Sequence, residues 1–253
     1  MDLQLKGKKA LITGASRGIA RATAELLADE GVDLAICARN EKGLDEAQKD
    51  LEARGVKVFA QALDVSDAAA LQGFVTSSID TLGGLDILIP SPSAGNTGNK
   101  EGAWRANFEV DILGTTRALD AALPALQESD AASVVFVSTT AAVETFMGPS
   151  SYNALKAALI THANSLSQAL GRKGIRVNTV SPGPILFEGG DWANVEKAMP
   201  EVFENTVAAH PLGRMGTKEE VARAIAFLAS PAGSWCTGVN LVVDGGYTKR
   251  VNF

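Results

Sequence analysis

The sequence predicts an α/β fold: one doubly wound parallel sheet of about seven strands, with helices on both faces. Three observations predict it. Short apolar runs alternate with longer segments of helical periodicity along the whole chain. The runs lack polar alternation, as expected of strands buried on both faces of a parallel sheet. The first run also leads straight into a glycine-rich turn, the place where such sheets hold phosphate groups.

Taken in order, Ala10–Thr13 is the first strand, and Ile19, Thr23, Leu26 and Leu27 mark one face of the first helix. Leu34–Cys37 and Val56–Gln61 are the next strands, separated by a helix marked by Leu44, Ala47 and Leu51. Leu71, Phe74, Val75 and Ile79 line another helix, which leads to the strand Ile87–Ile89. A long apolar stripe from Phe108 and Ile112 to Leu119, Leu123 and Leu126 precedes the strand Val134–Ser138. Leu155, Leu159, His162, Leu166 and Leu170 mark the helix before Val177–Ser181, and Val221–Leu228 the one before Val239–Val243. Right-handed crossovers join these pieces into a Rossmann-type sheet. No linker, repeat or low-complexity stretch interrupts residues 1–253, so one domain is expected.

Composition narrows the class. A chain of 253 residues that is 46% hydrophobic can bury a substantial core. A net charge of −6, with no basic run, argues against nucleic acid as a partner. Cys37 and Cys236 stand far apart, and the two histidines, His162 and His210, are scattered, so neither a disulfide framework nor a metal site is indicated. The first residues carry no apolar signal core, and no apolar run approaches the roughly 18 residues of a membrane span. A soluble cytoplasmic protein is expected.

Two constellations carry chemistry. In Thr13-Gly14-Ala15-Ser16-Arg17-Gly18-Ile19-Ala20, Gly14 permits a tight turn and Gly18 lets the backbone approach a pyrophosphate at the helix N-terminus. Tyr152 and Lys156 stand four residues apart, on one face of a helix and about 6 Å apart along its axis. An ammonium about 4 Å from a phenol, at an effective dielectric near 20, is worth about 4 kcal/mol, or roughly three pKa units. That would bring a tyrosine into the range of general acid–base chemistry. Thr139 adds a hydroxyl thirteen residues before the tyrosine.

Thr13-Gly14-Ala15-Ser16-Arg17-Gly18, Leu63-Asp64-Val65, Tyr152-xxx-Lys156, Asn178-Thr179-Val180-Ser181-Pro182-Gly183 and Val243-Asp244-Gly245-Gly246 together resemble the short-chain dehydrogenase/reductase family, in its 3-oxoacyl reductase-like branch. The resemblance spans essentially the whole chain. It implies hydride transfer between a nicotinamide and a carbonyl or secondary alcohol, with Tyr152 as proton donor. Lys156 would tune that donor and bind the nicotinamide ribose, and Thr139 would orient the substrate. Asp64 and Val65 would meet the adenine, and Pro182, Gly183 and Ile185 would shape the nicotinamide pocket. An NAD site needs an acid at the end of the second strand, where this chain has Ala38 followed by Arg39. With Arg17 in the glycine turn, that points to the 2′-phosphate of NADP(H). A non-redox lyase or isomerase, and a catalytically weak NADP-binding scaffold, are the alternative functions.

Four positions depart from the family pattern. Thr139 stands for the usual serine. Asp111 replaces an asparagine whose main-chain carbonyl, in the family, holds a proton-relay water; its carboxylate is also expected to compete for the charge of Lys156. Pro90-Ser91-Pro92-Ser93-Ala94-Gly95 replaces Asn-Asn-Ala-Gly, and its prolines are expected to end the fourth strand early. Phe187 takes the place of a threonine.

The substrate is expected to meet residues 140–150 and a flap at about 187–211. These hold Val143, Phe146, Met147, Phe187, Trp192, Met199 and Phe203, with Glu144, Glu188 and Asp191, which suits a small apolar or aromatic ketone with a polar handle. The stripe 108–126 and the helix 155–170 are expected to build a homodimer. The resemblance implies a homotetramer through Val221–Leu228 and Val239–Val243.

Overall fold

In a computed structural model, described at residues 1–95, 97–145 and 148–251, seven strands form one parallel sheet in the order β3-β2-β1-β4-β5-β6-β7. The strands are β1 (Lys9–Thr13), β2 (Asp33–Ala38), β3 (Val58–Ala62), β4 (Ile87–Pro90), β5 (Ser133–Val137), β6 (Arg176–Pro182) and β7 (Asn240–Val243). All seven coincide with the apolar runs of the sequence, although β3 begins two residues later than its run. The helices are α1 (Gly18–Asp29), α2 (Glu41–Glu52), α3 (Ala68–Leu82), α4 (Glu101–Asn107), α5 (Gly114–Gln127), α6 (Ser151–Leu170), α7 (Asp191–Ala198), α8 (Pro200–Ala209) and α9 (Lys218–Ala229). No described helix is long and apolar enough to cross a membrane.

The unbroken apolar runs have a direct explanation. Side chains alternate across a strand, and here both faces are covered. Ala10 and Ile12 of β1 enter one core layer with Leu27 of α1, Leu51 of α2 and Ile225 of α9. Leu11, between them, enters the other with Phe74 of α3, Leu119 of α5 and Leu159 of α6. Cys37 lies in this second layer, where burial pushes its thiol up to about 12, so it behaves as a small apolar residue.

The helix ends follow from local chemistry. Asp67 caps α3 by accepting from the backbone N–H of Ala69 and Ala70, and Gly83 ends that helix in the left-handed region at φ 73°. Asn40 caps α2, and Thr217 forms a capping box with Glu220 at the start of α9.

Strand order reverses between β1 and β4, so their carboxyl ends flank the crevice where a doubly wound sheet binds its ligand. Thr13 and Pro90, the last residues of these strands, are register partners. The prolines act on one side only. β4 pairs with β1 through Pro90, whereas its pairing with β5 stops at Leu88. Proline has no N–H to donate to a ladder, which makes that early stop intelligible.

Candidate active site

Tyr152 and Lys156 occupy the first turns of α6, whose start is tied down on two sides. Ser138, just beyond β5, donates its hydroxyl to the Lys156 carbonyl at 2.8 Å. Ser151 donates to the Gly98 carbonyl at 2.8 Å and accepts from the Asn107 side chain at 2.9 Å. Sequence reasoning did not single out Ser138, Ser151 or Asn107. All three are buried polar residues beside apolar runs, which was the available signal.

Thr139 follows β5 with an extended backbone. Its side-chain oxygen accepts from the Ala141 N–H at 3.2 Å, and the same hydroxyl acts on the Tyr152 phenol, drawing its pKa down. The ammonium of Lys156 lies 5.8 Å from the centre of the Tyr152 ring. The nominated hydroxyl, phenol and ammonium therefore converge at the carboxyl edge of β5, beside the crevice.

The electrostatics differ from the expectation drawn from spacing alone. Lys156 does pull the phenol's pKa down, but burial pushes it up more strongly, and the carboxylates of Asp111 and Asp191 add to that push. The Thr139 hydroxyl pulls weakly the other way, and the phenol stands above its ordinary value. Asp111 belongs to a π-helical segment, Phe108–Leu113, between α4 and α5, an irregularity often found at functional sites. Its Oδ1 is 3.0 Å from Lys156 Nζ, and its Oδ2 accepts from the Ala94 N–H at 3.1 Å.

The glycine turn fits a dinucleotide's pyrophosphate. Gly14 has φ +75°, and a Cβ added there would come within 2.6 Å of the Ser91 carbonyl oxygen, so the turn passes directly against the loop after β4. Gly18, at φ +63°, opens α1, whose N-terminus has no side-chain cap. Ser16 is half-buried near α2, Ile19 half-buried against the core, and Arg17 and Arg39 are exposed. Arg17 donates to the Gly189 carbonyl at 3.0 Å, so it also ties the turn to the flap.

The remaining nominated residues divide between an exposed position and packing positions. Asp64 is exposed, and its Oδ1 accepts from the backbone and hydroxyl of Ser66 at 2.9 and 2.8 Å. These bonds, with a smaller contribution from Arg39, hold its carboxyl below the usual range. Val65 packs under Gly114 of α5. Pro182 closes β6, and Gly183 has no room for a side chain because a Cβ would sit 2.6 Å from that of Asp244. That contact links the Pro-Gly and Val-Asp-Gly-Gly motifs. Ile185 is buried and bridges to Gly216.

On the flap, Phe187, Trp192 and Phe203 are half-buried, whereas Met199 and Asp191 are exposed. Phe146 and Met147 lie outside the described residues. Among the described residues, no group of three or more His, Cys, Asp or Glu is placed to hold a metal ion.

A sequence profile described as Enoyl-(Acyl carrier protein) reductase matches residues 14–248, which takes in the glycine turn, Tyr152, Lys156 and the late Val-Asp-Gly-Gly motif. The chain belongs to the short-chain dehydrogenase/reductase family. Its relatives in that family include the isoepoxydon dehydrogenase of Aspergillus clavatus, 37% identical over 253 residues that span 98% of each chain. Two solved family members share the fold, each with a TM-score of 0.91. One is the L-sorbose reductase of Gluconobacter frateurii in complex with NADPH and L-sorbose, 29% identical across 99% of this chain and all of that one. The other is a 7α-hydroxysteroid dehydrogenase with NADH and 7-oxo glycochenodeoxycholic acid, 27% identical over 99% of this chain and 98% of that one. A family member of this kind is a hydride-transfer oxidoreductase that uses a nicotinamide cofactor and acts on small molecules.

Proposed function

We propose that this protein is an NADP(H)-dependent carbonyl reductase or secondary-alcohol dehydrogenase in which Tyr152 is the proton donor. The observation that carries the reading is the convergence on Tyr152, with Lys156 Nζ 5.8 Å from its ring centre and the Thr139 hydroxyl acting on its phenol. When bound, the nicotinamide supplies or accepts the hydride.

The chain's own residues do the rest. Thr139 holds the substrate oxygen near the phenol, and Tyr152 gives that oxygen a proton as it gains charge. Lys156 stabilises the phenolate left behind and binds the nicotinamide ribose, while the Asp111 main-chain carbonyl holds a relay water. Gly14, Ser16, Arg17, Gly18 and Ile19 cradle the pyrophosphate, and Arg17 and Arg39 bind the 2′-phosphate. Asp64 and Val65 receive the adenine, and Pro182, Gly183 and Ile185 border the nicotinamide. Two guanidinium groups at this edge, with no acid at position 38, support NADP(H) over NAD(H).

Residues 1–253 act as one domain in this reading, with 187–211 as the substrate flap. Its apolar side chains support a small apolar or aromatic ketone, and likeness to isoepoxydon dehydrogenase makes isoepoxydon the first compound to try. The active form is a homodimer or homotetramer. The exposed Phe108 and Val239 and the half-buried Ile112 and Leu123 support an association surface, although Leu119, Leu126 and much of α9 already serve the chain's own core.

The deciding experiment follows NADPH consumption with a panel of ketones, using Tyr152→Phe as the control. Turnover lost in the variant, with nucleotide binding retained, supports the reading. Near-wild-type turnover in Tyr152→Phe would remove the assigned donor, and tight NADPH binding with no turnover on any ketone would favour a scaffold.

A further inference from the structure

Asp111 and Lys156 form an ion pair that is almost entirely enclosed. Their side chains are 1% and 5% exposed, and Asp111 Oδ1 lies 3.0 Å from Lys156 Nζ. Burying a carboxylate and an ammonium is costly unless each finds a partner, and leaving one unpaired is costlier still. The other partners come from the backbone. Ala94 N–H donates to Asp111 Oδ2 at 3.1 Å, and Lys156 donates to the carbonyls of Val137 at 3.1 Å and Pro92 at 3.5 Å. The ammonium is thus drawn toward the π-helical segment, the loop after β4 and the end of β5.

A neutral asparagine at position 111 would leave the ammonium's field on the phenol largely intact. A carboxylate in direct contact with that ammonium cancels much of it, because opposite charges 3 Å apart present little net charge to a third group. The charged groups acting on the phenol are Lys156 from its own helix, Asp111 from the π-helical segment and Asp191 from the start of α7.

We infer that the Asp111 carboxylate is a positioning residue of the reaction: it holds Lys156 in place and offsets its charge, so that Tyr152 rests in the protonated form that reduction uses. In carbonyl reduction the phenol O–H bond breaks as the substrate O–H bond forms, and the phenolate regains a proton from water. Alcohol oxidation needs the phenolate beforehand, and so requires alkaline solution. This rests on Tyr152 being the donor, as proposed above.

The chain has only two tyrosines, Tyr152 and Tyr247, which makes the phenols separable by ultraviolet titration of the free protein. The transition missing from Tyr152→Phe is that of Tyr152. Its midpoint in the wild type should lie above the ordinary phenol value of about 10. In Asp111→Asn it should fall by about one unit or more, and the alkaline limb of kcat/KM for alcohol oxidation should move with it. Asp191→Asn, at an exposed site, should shift both by less.

A wild-type midpoint below 10 overturns the inference even if no Asp111 variant folds, and so does an unchanged midpoint in a folded Asp111→Asn. In either case the reading of Tyr152 as donor stands. If the midpoint moves and the rate profile does not, Tyr152 is not the donor, and both conclusions fall together.

Discussion

The ring of Phe187 lies against Gly18, so closely that a Cβ added to Gly18 would come within 3.0 Å of the ring tip. Gly190 meets the same ring, with a Cβ there 2.9 Å away, and Arg17 reaches the Gly189 carbonyl. The segment from Phe187 to Gly190 and the glycine turn are thus packed together, joined by the aromatic side chain that replaces the family's threonine and by Arg17.

Gly18→Ala should therefore be costly twice over. The backbone there has φ +63°, which costs a residue with a Cβ about 1–2 kcal/mol, and the new methyl would press on Phe187. The expected result is a lower melting temperature and NADPH affinity weakened at least about tenfold, read by calorimetry. A variant that matches the wild type in both would show that the turn needs no glycine.

Arg39→Ala should separate the two nicotinamide cofactors. Hydrogen bonds to a charged group contribute about 1.5–3 kcal/mol, so NADPH affinity should fall by about ten- to a hundredfold while NADH affinity changes little. Equal losses for both nucleotides would mean that Arg39 does not read the 2′-phosphate.

Thr139→Ser should keep kcat within a small factor, since the hydroxyl that contacts Tyr152 and accepts from Ala141 survives. Thr139→Ala should lose kcat by about ten- to a hundredfold, as one orienting hydrogen bond is removed. If alanine and serine behave alike in steady-state assays, the hydroxyl has no catalytic part.

Glu220 offers a test of stability against pH. Arg214 and the capping bond at Thr217 hold its carboxyl down at about 2, against an ordinary 4.5. A lowered folded-state value means that the stabilisation is fully present above the unfolded value and is lost as pH falls through the folded one. Glu220→Gln should thus lower the melting temperature at pH 7, by the equivalent of about 1 kcal/mol or less at this solvent-screened site. The difference should close as the pH approaches 2. A gap that persists there would point to packing instead of charge.

Much of this was legible in the residue order. The seven strands stood out because side chains buried on both faces leave no polar alternation to blur the runs, and the glycine turn because only certain residues tolerate its backbone. Tyr152 and Lys156 could be paired from spacing, since a turn of helix brings residues four apart together whatever surrounds them, whereas the role of Thr139 came from the family resemblance. The residues that anchor α6, namely Ser138, Ser151 and Asn107, were not legible, because their partners lie 18, 53 and 44 residues away in the chain.

By itself, the sequence determined the sheet, the glycine turn and the presence of a phenol beside an ammonium, because each depends on periodicity or on near neighbours. Only the tertiary structure decided the direction in which that phenol is shifted, and that Gly183 must make way for Asp244. Both depend on how closely distant segments approach and on how much water they exclude. Burial outweighs the pull of Lys156, and the carboxylate of Asp111 reaches that lysine from a separate helix. Such distances and solvent exclusion are set when the chain closes on itself, and no local pattern encodes them.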